Sequence, residues 1–311
     1  MSRSKTLYYN DAKHWVKRPS GIVTPDGRCK DFLEYSQNSF VEIKQMAIEV
    51  DGMFHEAGIV LNPTCSLRQL IEDAKLLADT SVDGSVDSSE RSVHMRGCLA
   101  LRITQAILSL KDEPNITSHL SRLGSGSLNL FKKGESTVKN FFWEIETFAS
   151  LKRHGLNPLF EEPDLSVSID GVQIGVACKK IYSEKNVGKV LSNAAAQIAT
   201  RKRPGIVAIN LDDLHQLDEP ITGSTYGSIN QALSDFNVRF IGKHERHLRK
   251  YLGSSRITAC MISSHHYGDA TAEQARLNNY SETTCWAIPN LGGERQRLSD
   301  AFYGVFRPIK D

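Results

Sequence analysis

The stretch PDLSVSIDGVQIGVACKK, residues 163–180, decides how the chain is read. Apolar residues alternate with polar or small ones on both sides of Asp170-Gly171, a strong turn signal. A strand opening at Asp164 and a second ending at Cys178-Lys179 therefore form a hairpin. Its open end brings one carboxylate beside one ammonium. In the second strand Ile174, Val176 and Cys178 point one way, and Gln173, Gly175, Ala177 and Lys179 the other. The first set packs into a core. Lys179 emerges opposite, where Gly175 and Ala177 leave room for an approaching group. Lys180 shares the core side, and its long stem is expected to carry the ammonium past the strand end into solvent. Taken alone, a lysine at a strand end is an ordinary solvated charge; Lys179 gains interest from its companions.

Upstream, Ser136 or Thr137 can cap a helix predicted to run to His154, with Gly155 in the left-handed position that ends helices. At about 100° per residue, Val138, Phe141, Phe142, Ile145, Phe148 and Ala149 form an apolar arc that Leu151 widens. Glu144 projects inside the widened arc, between Leu151 and Phe148. Glu146 lies beyond the other edge, near Lys139 and Ser150. A carboxylate on a buried face needs a partner. A metal ion or a neighbouring Lys or Arg would serve equally.

Beyond the hairpin the pattern predicts a helix over 187–201, a doubly buried strand in GIVAINL at 205–211, a long helix over 228–251, strands at 257–262 and 284–288, and a closing helix over 294–302. A short strand is also expected at 158–160. The first 134 residues read differently. Residues 1–30 look irregular around a Pro25-Asp26-Gly27 turn, helical spacing covers 31–56, and Asn62-Pro63 breaks it. Ser66 to Gln69 forms a capping box opening a helix to about residue 78. TSVDGSVDSSE at 80–90 reads as a mobile connection, followed by helices over 91–110 and after Asn115. Gly124-Ser125-Gly126-Ser127 reads as a hinge. The expected division is a mainly helical N-terminal domain at 1–134 and a mixed α/β domain at 135–311.

A helix glutamate, Pro163-Asp164 opening one strand, Lys179 ending the next and a following helix with Gln197 together resemble the PD-(D/E)xK, or restriction-endonuclease-like, nuclease superfamily. The resemblance spans roughly residues 135–290 and rests mostly on element order: helix, three strands, helix, strand. It implies an α/β (mixed α+β) fold with a mixed central sheet flanked by helices. It also implies Asp164 and Glu144 as ligands of Mg²⁺, with Mn²⁺ as a substitute, and the Cys178 backbone carbonyl on the same ion. Lys179 would position the attacking water or help deprotonate it. The chain departs from the pattern two residues before the lysine, where Ala177 replaces the second carboxylate. Glu144 is one replacement; Glu162, which alternates onto the face of Asp164, is another, and Gln173 offers a neutral oxygen. Without such a substitute the fold and groove would persist and the reaction would not.

Composition sets the outer bounds. A chain of 311 residues, 40% hydrophobic and 24% charged, suits a soluble globular protein with a sizeable core. No apolar run approaches bilayer length and the start lacks a leader pattern, which leads us to expect a cytoplasmic protein away from membranes. The six cysteines include no C-x-x-C pair, so reduced, packed thiols are expected. His244 with His247, and Cys260 with His265-His266, lack a matched second pair, so structural zinc is not expected. G-x-S-x-G and dinucleotide-binding motifs are absent. A formal charge of +2 places any attraction to nucleic acid in local clusters. Between Ala177 and Asn210 seven Lys or Arg residues face one acidic residue, Glu184. Lys180, Lys189, Arg201, Lys202 and Arg203 belong to this group, and Lys243, Arg246, His247 and Lys250 form one helical stripe. A solvated helix face accounts for each singly. Together with Gln197, and in the same domain as the carboxylate-lysine hairpin, they favour nucleic acid as partner, DNA above RNA. The expectation is thus a Mg²⁺-dependent nuclease of restriction, repair or antiviral defence, whose N-terminal region selects substrate or joins a second copy or a partner protein. The alternative is a catalytically silent subunit that keeps the fold and binds nucleic acid or protein.

Overall fold

The computed structural model describes residues 14–17, 23–26, 40–83, 91–215, 219–253, 256–273, 277–286, 288 and 291–305. Near the start, β1 (His14–Lys17) and β2 (Val23–Asp26) pair as a separate antiparallel two-stranded sheet. This stretch was expected to be irregular. Trp15, Val16, Val23 and Thr24 are good strand formers, a short-range signal easily lost among polar neighbours.

Four helices follow: α1 (Phe40–Glu56), α2 (Ser66–Asp83), α3 (Arg91–Leu108) and α4 (Ile116–Gly124). The part of the first predicted helix before Phe40 lies outside the described residues. The second outruns its expected end because Thr80 to Asp83 hold no Gly or Pro; the rest of the supposed mobile connection, 84–90, is also outside the described residues. The expected hinge at Gly124–Ser127 is packed. A Cβ on Gly126 would lie 2.9 Å from Val138, and the Ser66 hydroxyl accepts a 2.7 Å bond from the Leu128 amide.

α5 (Thr137–Arg153) starts at Ser136, whose hydroxyl accepts from the Lys139 amide, and stops before Gly155 at φ +78°. β3 (Leu165–Ile169) and β4 (Val172–Lys180) form the hairpin, turning through Asp170 and Gly171 at φ +49° and +76°. Both central residues have the positive φ of a type I′ turn, whose twist matches the strands. The chain continues through α6 (Val187–Thr200), β5 (Gly205–Asn210), β6 (Ile221–Gly223), α7 (Tyr226–Leu252), β7 (Ile257–Ala270), β8 (Leu277–Trp286) and α8 (Gly293–Val305). The strand expected at 158–160 is a single bridge, Leu159 to Ser166. β7 and β8 are much longer than expected, pairing from Cys260–Trp286 to Asp269–Leu277.

The result is a mixed six-stranded sheet flanked by helices. β4, β5 and β7 are parallel neighbours; β3 lies antiparallel on the outer edge of β4, and β8 antiparallel on β7. β5 and β6 pair successive stretches of the same flank of β7. Alternate residues of β4 and β5 enter different cores, as strands covered on both faces must. Ile174, Val176, Cys178, Ile206 and Ala208 join a cluster with α5 and the N-terminal helices. That cluster takes in residues from both sides of position 135. Ala177, Val207 and Ile209 pack beneath α6 and α7.

Candidate functional site

The hairpin register sets the site. Leu165 pairs with Val176, which leaves Asp164 one step further out, beside Ala177 and Cys178. The Asp164 carboxylate is held from three directions. Its Oδ2 accepts from the Cys178 amide at 2.7 Å and from the Lys179 ammonium at 2.9 Å; its Oδ1 accepts from the Gln197 amide of α6 at 3.2 Å. Gln197 also donates to the Pro163 carbonyl at 2.8 Å, fixing the chain on which Asp164 sits. The Lys179 ammonium reaches the Cys178 carbonyl oxygen at 3.0 Å. One cation thus already bridges the carboxylate and carbonyl oxygens named in the sequence.

Glu144 completes the group from α5. It lines the same cleft as Asp164 and Glu162, and its side chain is 14% exposed. Burial, and then the nearby Asp164 charge, pushes its carboxyl up to about 7, although Arg122 and Lys179 pull the other way. The buried Cys178 thiol is likewise pushed up, by burial and by both Asp164 and Glu144. Two carboxylates therefore act on one spot.

No family model matches this chain. No curated protein and no solved structure matches it either. The site must be read from its own geometry.

Not every predicted residue belongs to it. Glu162 is exposed at the rim of the cleft. Gln173 pairs with Ser168 at the turn end of the hairpin, roughly 20 Å of strand from Lys179 at about 3.3 Å per residue, so it is too remote to replace the missing carboxylate. Lys180 does not extend to solvent. It is 8% exposed, donating to Asn210 Oδ1 at 2.6 Å and pairing with Asp213 at 3.2 Å. That removes it from any nucleic-acid surface: the core side of β4 is roofed by α5, whose Lys139 shares Asp213 at 3.1 Å. Ala177 is fully buried beneath α6, so the side expected to be open is closed by a helix. What fills the space over Gly175 is Pro163, whose Cδ lies 2.7 Å from where a Cβ would be.

Lys189, Arg201, Lys202, Arg203, Lys243, Arg246 and Lys250 are all exposed. Arg203 pairs with Glu161 at 2.6 Å and Lys243 with Glu184. His244, by contrast, is buried, its ring packed at a tilt against Phe240.

A second polar cluster went unanticipated. Glu146 belongs to it and is not a surface residue: Arg102 of α3 donates to both its oxygens at 2.6 and 2.8 Å, and to Asp212 at 2.7 Å. Asp212 also accepts from the His265 amide. Glu146, Asp212 and His265 bring ligand atoms within 4.8 Å of one another, a geometry able to hold a metal ion. In this arrangement the Arg102 guanidinium supplies the positive charge. Burial opposes ionisation of Asp212, but Arg102 and then His265 outweigh it and hold the carboxyl well below its usual range. Sequence spacing could reveal none of this, because Arg102 and Asp212 lie 110 residues apart.

Proposed function

We propose that this protein is a metal-dependent nuclease of the PD-(D/E)xK type that hydrolyses phosphodiester bonds in DNA. The observation carrying the reading is the convergence of the Asp164 carboxylate, the Lys179 ammonium and the Cys178 carbonyl at the open end of the β3–β4 hairpin, with Glu144 in the same cleft. The element order α5, β3, β4, α6, β5 supports it, with two strands rather than three between the helices.

The donor set fits a hard divalent cation. Asp164, Glu144 and the Cys178 carbonyl offer only oxygen, the preference of Mg²⁺ and Mn²⁺. Two crowded carboxylates, one with its ionisation suppressed, are what such a charge would relieve. A bound Mg²⁺ would supply a water acidified toward neutral pH and positive charge for the transition state. The protein's own part is placement. The Cys178 amide and Gln197 lock the two oxygens of Asp164, so little reorganisation is needed as charge develops. With the metal bound, the Lys179 ammonium beside Asp164 would orient the attacking water and stabilise the negative charge that develops. Exposed Lys189 and Arg201 to Arg203 on and after α6, and Lys243, Arg246 and Lys250 on α7, offer phosphate contacts.

Ala177 favours a second reading, a subunit that binds nucleic acid without cutting it, since only Asp164 remains on the hairpin. Incubating the protein with plasmid and linear DNA in Mg²⁺, Mn²⁺ or EDTA separates the two. Metal-dependent cutting lost in Asp164→Ala and Lys179→Ala supports the enzyme. Salt-sensitive binding without cutting supports the silent subunit.

A further inference from the structure

The cleft that holds Asp164 and Glu144 is walled on one side by α4, which belongs to the helical region before the sheet. Two of its side chains, Arg122 and His119, line the cleft. The Arg122 guanidinium lies 3.6 Å above the Phe141 ring, so stacking fixes its plane without consuming its N–H groups. Its nearest carboxylate oxygen, on Glu144, is 3.7 Å away, beyond hydrogen-bond range, and the side chain is 53% exposed. A planar fork held in place with donors uncommitted suits an anion presenting two oxygens. His119 adds an independent sign. It is only 6% exposed, with its ring centroid 4.1 Å from that of Phe160, yet neither ring nitrogen has a hydrogen-bond partner. Leaving such a group unpaired is unfavourable, and a ligand hydrogen-bonded to it would remove that penalty.

Need for such a group is plain from the charges. Asp164, Glu144, Glu161 and Glu162 all line this cleft, and the Lys179 ammonium is already engaged with Asp164. A phosphodiester entering it meets mostly negative charge. We infer that Arg122, with His119 beside it, is a phosphate grip: α4 reaches into the site and binds the non-bridging oxygens of the phosphodiester to be cut. This rests on the nuclease reading and deepens it, because the helical region then completes the site.

The test uses the full chain, a linear DNA duplex and Mg²⁺ or Mn²⁺. Arg122→Ala should slow single-turnover cutting on the order of 10²-fold while the melting temperature stays close to that of the wild type. Arg122→Lys should recover only part, because a point charge cannot grip two oxygens. In an Asp164→Ala background, Arg122→Ala should flatten the dependence of log binding constant on log salt by about 0.9, one phosphate contact. A purely structural arginine would leave that slope unchanged. If the wild type cuts and Arg122→Ala cuts equally fast with the same slope, the grip is overturned and the nuclease reading stands. If the wild type cuts under no condition, the nuclease reading falls, and the salt slope alone decides whether Arg122 holds phosphate. Should Arg122→Ala not fold, Arg122→Gln, which keeps a stem over Phe141, carries the same comparisons.

Discussion

Glu144 shows how one residue can oppose stability and serve a site. Its carboxyl titrates near 7 in the folded chain against 4.5 for an unperturbed glutamate, chiefly because it is buried and next because Asp164 is near. Below pH 4.5 both folded and unfolded states hold the proton, and the group costs the fold nothing. As pH rises the unfolded state loses its proton first, so stability falls between about 4.5 and 7 and stays low above it, by on the order of 3 kcal/mol for this shift. Glu144→Gln removes the ionisable group. In EDTA the variant should match the wild type at pH 4.5 and exceed it by roughly 2–3 kcal/mol at pH 8, as read from urea unfolding. It should also lose metal-dependent cutting. An equal stability difference at both pH values would show that Glu144 is not held neutral by the fold.

At the scale of elements, the hairpin positions the chemistry, and its tightest point is the contact of Pro163 with Gly175. A Cβ at 175 would meet the proline ring at 2.7 Å, and a ring cannot swing aside like a flexible chain end. Gly175→Ala should therefore cost about 1–3 kcal/mol through overpacking. It should also move Asp164, the next residue, enough to lower cutting on the order of 10²-fold. Thermal melting and cutting rates measured on the same preparation check both; cutting as fast as in the wild type would mean that Pro163 does not set the carboxylate. The hairpin was legible beforehand because its signals are local: alternation, an Asp-Gly turn, and the ends where Asp164 and Lys179 fall. Glu144 was legible as an acid within an apolar arc. What was not legible depends on distant chain. Lys180 reads as a free strand-end charge until Asp213 and Asn210 close over it, and Ala177 reads as open space until α6 covers it. Gln173 was misplaced for a simpler reason: sharing a face says nothing of position along the strand.

Across the whole molecule, Arg102 joins the N-terminal helices to the sheet. From α3 it pairs with Glu146 of α5 and with Asp212 just past β5, and all three side chains are at most 15% exposed. Removing one partner from a buried network leaves the other charges unpaired, which typically costs 3–5 kcal/mol. Arg102→Ala should lose stability on about that scale at neutral pH, when both carboxyls would need to ionise without the guanidinium. It should also take up a metal ion in place of the guanidinium. With the guanidinium gone, Glu146, Asp212 and His265 still bring ligand atoms within 4.8 Å of one another, an oxygen and nitrogen set that suits Zn²⁺. Adding Zn²⁺ at roughly 100 times its dissociation constant would restore about 2.7 kcal/mol by mass action. The expected outcome is a melting temperature that rises with Zn²⁺ in Arg102→Ala, does not rise in the wild type, and no longer rises once Asp212→Asn is added. If Arg102→Ala melts like the wild type with and without Zn²⁺, the arginine is not what holds these carboxylates together.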